Sequence, residues 1–448
     1  MKWRHCACLC RKDNTMGKNE GKTEAVKGFA DLYEPDSSVF TALEDAARRV
    51  FGNYGYEELR IPIVEYTDLF SRSIGAETDV VQKEMFTMQD RRGRSLAMRP
   101  EATAGIMRSY IESKLYASKS VCKLFCYGPM FRYERPQKGR MRQFHQLDCE
   151  CLGVHEPLLD AEMLLMLMGF FKEIGLTGLS LELNTLGCRE CRPQYREKLL
   201  AFLEGLNADD LCEDCRRRLQ TNPLRVLDCK VETCKKATEA APAIHEHVCA
   251  DCADHFATVR TVLNERKMPY ILNPRLVRGL DYYMRTTFEV VCSSIGAQGS
   301  IAGGGRYDGL IEQLGGPTTP GIGFACGMER LALALGQEKA AKAHRQTDFF
   351  VALLDDAGAS KALYAAEALR ACGLKGEVAY AARSLKSLMR QASKINARFC
   401  FLLGSEELAA SSIVIKNMET GEQATIPLSG VKDWGSIQKS ELDRKRHP

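Results

Sequence analysis

The chain has 448 residues, 45% of them hydrophobic and 27% charged, with a formal net charge of +4. That length suits two to four domains at roughly 100–200 residues each, and so mild a charge permits a polyanionic partner without requiring one. No apolar run approaches the roughly 18–20 residues that would span a membrane, no signal-peptide core opens the chain, and nineteen cysteines without an export signal fit a reducing cytosol better than a disulfide scaffold.

Residues 1–22 are polar and basic around Cys6-Ala7-Cys8-Leu9-Cys10 and lack periodicity, which predicts a disordered extension. Val39, Phe40, Leu43, Ala46, Ala47, Val50 and Phe51 then form one helical stripe with Ser37 as its candidate cap, closed by Asn53-Tyr54-Gly55. Residues 57–63 read as a strand running into Pro62, 84–99 as two strands around Asp90-Arg91-Arg92-Gly93, and 101–113 as a helix. Two β-like runs, 123–135 and 140–152, flank Pro136-Gln137-Lys138-Gly139 as a long antiparallel hairpin with a basic tip. An apolar helix is predicted over 157–174. Residues 188–256 then read as a Cys-rich insertion, because eight of the nineteen cysteines fall there in four pairs. The main domain resumes with a β-like 280–292, a Gly303-Gly304-Gly305 turn and a helix over 327–335. A polar linker at 338–345 precedes a small α/β domain, 346–435, opened by a continuous apolar run from Phe349 that suits a parallel strand buried on both faces. Residues 436–448 read as a solvated tail.

Strand alternation puts Gln146, Asp148 and Glu150 on one face and His145, Leu147, Cys149 and Cys151 on the other, beside Arg132 on the neighbouring strand. Taken alone, the polar face could simply meet solvent. Arg135, Lys138, Arg140 and Arg142 at the hairpin tip suit phosphates. Arg278 stands in Val277-Arg278-Gly279-Leu280-Asp281-Tyr282-Tyr283, and Arg330 in a Gly-rich turn that begins at Gly321 and opens a helix. Three arginines in polar, glycine-punctuated settings point to a clamp for a polyphosphate.

These stretches together resemble the class II aminoacyl-tRNA synthetases, with the Pro62 segment similar to motif 1, the Arg132 hairpin to motif 2 and the Arg330 segment to motif 3. Residues 276–283, the run Ala-Gly-Gly-Gly-Arg-Tyr-Asp-Gly at 302–309, and Arg99-Pro100-Glu101-Ala102-Thr103-Ala104 resemble signatures of the histidine-specific, bacterial-type branch. The resemblance runs from about Lys27 to about residue 435. It implies an α+β fold: a six-stranded antiparallel catalytic sheet with flanking helices from residues 23–187 and 257–337, interrupted by the insertion, and an α/β anticodon-binding domain that includes Arg383-Ser384-Leu385-Lys386. It further implies a cytoplasmic homodimer that uses histidine, ATP with Mg2+, and tRNA(His). By resemblance, Arg132, Arg278 and Arg330 are catalytic, and Arg132, Glu134 and Arg330 hold ATP. Glu101, Thr103, Gln146, Glu150, Tyr282 and Tyr283 would receive histidine, while Arg135, Gln137 and Arg142 would meet the acceptor end of the tRNA. Ala102 departs from the family's usual Gly, an exchange that would strain a positive φ. The rival reading is a non-catalytic regulatory subunit of ATP phosphoribosyltransferase, but such relatives tend to lose the Arg278–Tyr283 segment, the clamping arginines and the C-terminal domain.

Cys188 and Cys191, Cys212 and Cys215, Cys229 and Cys234, and Cys249 and Cys252 are spaced as pairs of thiolate ligands, enough for two structural Zn2+ centres of four thiolates. A polar insertion with little core of its own would draw folding energy from such metal; reduced thiols in a module that folds by packing are the other reading.

Overall fold

The computed structural model describes residues 23–75, 78–137, 139–277, 280, 282–343 and 347–446. The extension 1–22, Lys138, Arg278, Asp281, the end of the linker and the last two residues lie outside them. The chain divides between residues 343 and 344 into two compact units.

The first unit is built on an eight-stranded sheet. Its six central strands run antiparallel in the order Cys122–Phe131, Gln143–Leu152, Gly321–Gly327, Ser300–Arg306, Met284–Cys292 and Leu179–Thr185. Two-residue parallel strands, Glu57–Glu58 and Ile271–Leu272, add the edges. Beyond Glu58, residues predicted to continue the strand leave the ladder before Pro62, which has no N–H to give it. The glycines read as turns at 303–305 and from 321 onward lie within strands, where lack of a side chain permits close approach. One face of the sheet, with Leu147, Cys149, Cys151, Phe288 and Phe324, is packed under the helices Asp36–Asn53, Pro157–Glu173 and Ala250–Glu265. The first helix buries the predicted stripe but begins at Asp36, so Ser37 lies in its first turn and not at its cap.

A charged cluster pins this layer. Arg306 and Asp160 are both fully buried, with Nε of Arg306 3.1 Å from Oδ1 of Asp160 and its Nη1 bonded to Asp308 at 2.9 Å and to the Val154 carbonyl at 3.0 Å. His255, on the helix Ala250–Glu265, places Nε2 2.8 Å from Oδ2 of Asp160. Burial pushes the Asp160 carboxyl up, but the bond to His255 and the Arg306 guanidinium outweigh it and hold the group below its ordinary range.

The insertion is helical, with Cys191–Glu204, Glu213–Thr221, Leu224–Leu227 and Glu232–Ala237. The expectation that it lacks a core is corrected here. Its Tyr195, Leu199, Leu203, Val226 and Ile244 belong to one apolar cluster with Ile106, Tyr110, Tyr307 and Ile311 of the main body, so it shares a core. Its last helix, Ala250–Glu265, runs past residue 256 and buries Phe256, Val259 and Leu263 under the central sheet.

The second unit carries a five-stranded sheet in the order Gly376–Val378, Phe349–Leu353, Phe399–Leu403, Ser412–Asn417 and Gln423–Pro427. Phe349–Leu353 is buried throughout and parallel to both neighbours, as its unbroken apolar run requires. The helix Met328–Ala343 covers most of the residues read as a linker, with a kink at Gly336. Likewise Val431–Arg446 is one helix with Leu442 buried in the core, which corrects the reading of 436–446 as a solvated tail.

Removing one partner of a buried ion pair leaves the other charge uncompensated, at a cost of about 3–5 kcal/mol. Arg306→Ala and Asp160→Ala are each expected to lose that much stability in urea unfolding, and the double variant less than the sum of the two. A loss below about 1 kcal/mol in either single variant would remove this pair as the anchor of the layer.

Candidate active site

The other face of the sheet is open at its centre because glycines floor it. Glu150 on Gln143–Leu152 stands directly across from Gly323, Gly323 from Gly305, and Gly305 from Thr287. A Cβ at Gly323 would lie 1.6 Å from Oε2 of Glu150, and one at Gly305 would lie 2.9 Å from Cδ1 of Tyr283. The two glycines therefore make the room that Glu150 and Tyr283 occupy.

Glu150 is 1% exposed. Its Oε1 accepts from the Thr103 hydroxyl at 2.6 Å, and its Oε2 from the Tyr307 hydroxyl. Burial overrides both bonds and raises the carboxyl to about 8. Tyr282 packs at 4.6 Å between ring centroids on Tyr283 and at 5.7 Å edge-on to Tyr307, closing an aromatic wall. Glu101 is spent on the backbone: it accepts from the amides of Thr103 at 2.7 Å and Ala104 at 2.9 Å, fixing the start of the helix Thr103–Glu112. Ala102 has a φ of −97°, so the position asks for no glycine and the exchange brings no strain. On the same strand face, Oε1 of Gln146 and Oδ2 of Asp148 are buried without a hydrogen-bond partner among the described residues. Burial, with Glu150 and Glu101 nearby, holds the Asp148 carboxyl well above its ordinary range. Two orphaned acceptors beside buried carboxyls call for a ligand that brings N–H donors. The alternating polar face is thus a buried pocket and not a solvated surface.

Gln146 also borders a cavity of about 210 Å³ whose wall carries Arg132, Arg140, Arg330, Glu134 and Glu329. Arg330 is held by the carbonyls of Ser300 at 2.7 Å and Gly139 at 3.4 Å. Its pKa is lowered first by burial and then by the charge of Arg140, with Arg132 adding to it. Arg132 bonds the Pro100 carbonyl at 2.9 Å and lies 5.4 Å from the Phe144 ring centroid, while Arg140 pairs with Glu134 at 2.7 Å. Three guanidiniums fixed around one hole make an anion site whose donors need no reorganisation.

At the hairpin, Arg135 and Gln137 are exposed. Arg142 does not join them. Its guanidinium lies 3.9 Å from the Tyr133 ring centroid with Nε 3.3 Å from the Glu134 carbonyl, which packs it at the base of the hairpin. Arg278 and Lys138 fall outside the described residues. Tyr307 and Asp148 were not assigned to the site from sequence, and Arg140 was read only as a hairpin-tip residue suited to phosphates; the available signal was Tyr307's place directly after the glycine run and Asp148's between Gln146 and Glu150. The eight insertion cysteines gather as two groups of four, Cys188 and Cys191 with Cys249 and Cys252, and Cys212 and Cys215 with Cys229 and Cys234.

The chain matches the family model described as histidyl-tRNA synthetase over residues 28–331, and that of an anticodon binding domain over residues 348–438. It is 62% identical over 403 residues to the histidine–tRNA ligase of Oleidesulfovibrio alaskensis, an alignment covering 90% of this chain and 96% of that protein. Among solved structures it is similar to the apo histidyl-tRNA synthetase of S. aureus, with a TM-score of 0.77, 34% identity, and coverage of 93% of this chain and 100% of that one. An ATP phosphoribosyltransferase regulatory subunit/histidyl-tRNA synthetase from Bacillus halodurans C shares the fold, with a TM-score of 0.60 at 18% identity over 83% of this chain and 96% of that one.

A carboxyl raised from 4.5 to about 8 keeps in the folded state a proton that the unfolded chain releases. The stability this confers is complete below the unfolded value and is lost as pH rises through the folded one. Wild type minus Glu150→Gln stability, from urea unfolding, is therefore expected to fall with pH across that window by up to about 1.4 kcal/mol per pH unit. A difference that stays flat from pH 5 to 8 would mean that Glu150 is ionised in the folded protein.

Proposed function

The chain belongs to the histidyl-tRNA synthetase family, ligases that join histidine to tRNA at the expense of ATP, and from this we infer that the glycine-floored pocket takes histidine and the arginine-walled cavity takes the ATP phosphates. The observation that carries the reading is the adjacency of the two through Gln146, which belongs to the polar strand face of the first and lines the second. A carboxylate held beside Gln146 is thereby aimed at an α-phosphate held by Arg132. The second, anticodon-binding unit and the high identity to a ligase favour this activity over that of a regulatory subunit.

In this reading Glu150 and Tyr283 meet the imidazole nitrogens, with Tyr282 as the wall and Tyr307 positioning the Glu150 carboxyl. The α-ammonium is received by Gln146 and Thr103, with Asp148 supplying the buried acceptor and Glu101 fixing the loop. Attack of the substrate carboxylate on the α-phosphate expels pyrophosphate and builds negative charge, which Arg132 and Arg330 stabilise as donors already in place. Arg278 is assigned to the same α-phosphate on the resemblance of its segment. Mg2+ belongs with the ATP phosphates. The wall's carboxylates are engaged elsewhere, Glu134 with Arg140 and Glu329 with His145, so Glu134 would have to exchange partners to share in holding the ion. The adenylate then passes histidine to the 3′ end of tRNA(His). Two copies would meet through the segment after Pro62, where Ile63, Val64, Tyr66 and Met88 leave apolar surface exposed. Among the described residues no helix is long and apolar enough to cross a membrane, in keeping with a cytoplasmic enzyme.

Arg132→Ala and Arg330→Ala are each expected to lower histidine-dependent ATP–pyrophosphate exchange by about 100–1000-fold. Near-normal exchange in both would refute the phosphate assignment. At the hairpin, Arg135→Ala or Gln137→Ala should depress tRNA charging while sparing exchange, because exposed tip residues are free to meet the acceptor end. Arg142→Ala, which loosens the packed base beside Arg132, is expected to lower both steps. Loss of charging alone in Arg142→Ala would return it to direct tRNA contact.

A further inference from the structure

Eight cysteines of the insertion serve none of this chemistry. In each of the two groups, all four sulfurs lie within 4.8 Å of one another. A tetrahedral Zn2+ with Zn–S bonds of about 2.3 Å sets its ligand sulfurs about 3.8 Å apart. The separations here are 3.8 Å for Cys212 to Cys229, 3.9 Å for Cys188 to Cys249 and 3.4 Å for Cys188 to Cys191. Together they bracket that edge, and each exceeds a disulfide's roughly 2.05 Å.

The local chain brings backbone donors to these sulfurs. Cys212 and Cys249 immediately precede the helices Glu213–Thr221 and Ala250–Glu265, whose first turns carry Cys215 and Cys252, and Cys191 opens Cys191–Glu204. Helix N-termini present free N–H groups and positive potential to anionic sulfur. The amide of Cys249 donates to Sγ of Cys191 at 3.1 Å, and that of Cys212 to Sγ of Cys234 at 3.1 Å, so one sulfur in each group already accepts from another ligand's backbone.

We propose that the insertion holds two structural zinc ions in nested sites, an inner one on Cys212, Cys215, Cys229 and Cys234 and an outer one on Cys188, Cys191, Cys249 and Cys252, and that the outer ion locks the neck against which the tyrosine pocket rests. Each ion replaces the four thiol protons, which leave to solvent. The outer ligands come from the two ends of the insertion. Cys188 follows Gly187, whose φ of 64° turns the chain out of the sheet, and Cys252 lies on the helix that carries His255 and Phe256 into the main core. Arg192, next to Cys191, donates to the Tyr283 carbonyl, so the outer site is one residue from the backbone that presents the pocket's tyrosine.

Elemental analysis of protein purified without chelator should give two zinc ions per chain. Cys188→Ser with Cys249→Ser, and Cys212→Ser with Cys229→Ser, should each retain one. Pairing of consecutive motifs would place each of these doublets in two different sites and leave none. Fewer than one ion in the wild type, or none in both doublets, overturns the proposal. If the doublets do not fold, 113Cd-substituted wild type decides instead: two resonances are expected, each coupled to the β-protons of one nested set, and a resonance coupled to both Cys188 and Cys212 overturns it. The neck's role rests on the histidine pocket assigned above. In exchange kinetics the outer doublet should raise KM for histidine on the order of tenfold relative to the inner doublet; equal values discard the neck's role while leaving the metal count standing.

Discussion

A carboxyl group fills the space that any side chain at position 323 would need. From that exclusion much of the catalytic unit follows. Glu150 reaches over the sheet only because Gly323 opposite it is bare, and Tyr283 only because Gly305 continues the same row. The bareness also brings strands into close register: a Cβ at Gly304 would stand 2.1 Å from the Gly323 carbonyl. Glycines in a strand weaken it, by backbone entropy and by lost packing. The opposite face compensates at the next residues along the same strand, where Arg306 enters the buried cluster with Asp160 and His255 while Tyr307 returns to Glu150. One glycine of the floor, Gly305, and the anchor, Arg306, are thus consecutive residues of one strand.

Charge leans to opposite signs on the two sides of the site, the cavity's two carboxylates being taken up by Arg140 and His145. The pocket side collects Glu101, Asp148 and Glu150, each buried and each pushed upward in pKa. The cavity side collects Arg132, Arg140 and Arg330. Each group is uncomfortable alone, the carboxyls through desolvation and mutual repulsion and the arginines through mutual repulsion around a shared hole. In the proposed assignment, a substrate carrying an ammonium and imidazole at one end, and meeting a polyphosphate at the other, would relieve both. The binding energy then falls where the reaction needs its reactants juxtaposed.

Much of this was legible in the sequence because its signals are local. Parity along 143–152 put Gln146, Asp148 and Glu150 on one face, and the apolar run at Phe349 announced a doubly covered parallel strand. What was misread shares one cause. Gly303-Gly304-Gly305 looked like a turn because glycine's commonest reason for being present is conformational, whereas here it is steric and its partner lies across the sheet. Arg142 looked like part of the tip, but its ring partner Tyr133 and its neighbour Gly28 are set by tertiary packing. The final helix was cut short because Leu442 stands alone among polar neighbours, and one buried residue gives no period.

The order of the cysteine pairs illustrates the same limit quantitatively. Loop-closure entropy rises by only about 0.6 kcal/mol per doubling of loop length, so nested and consecutive pairings of these four motifs differ by less than about 1 kcal/mol. Spacing therefore cannot choose between them. The choice is made by burial elsewhere. Phe256, Val259 and Leu263 commit the helix Ala250–Glu265 to the core beneath the central sheet, and the strand Leu179–Thr185 of that sheet delivers Cys188 to the start of the same helix. With the outer pairs brought together by apolar side chains at about 1.5–3 kcal/mol each, the inner pairs have only each other. The nested grouping of the cysteines is then a consequence of the fold's main core, and the insertion is an extension of that core and not a module added to it.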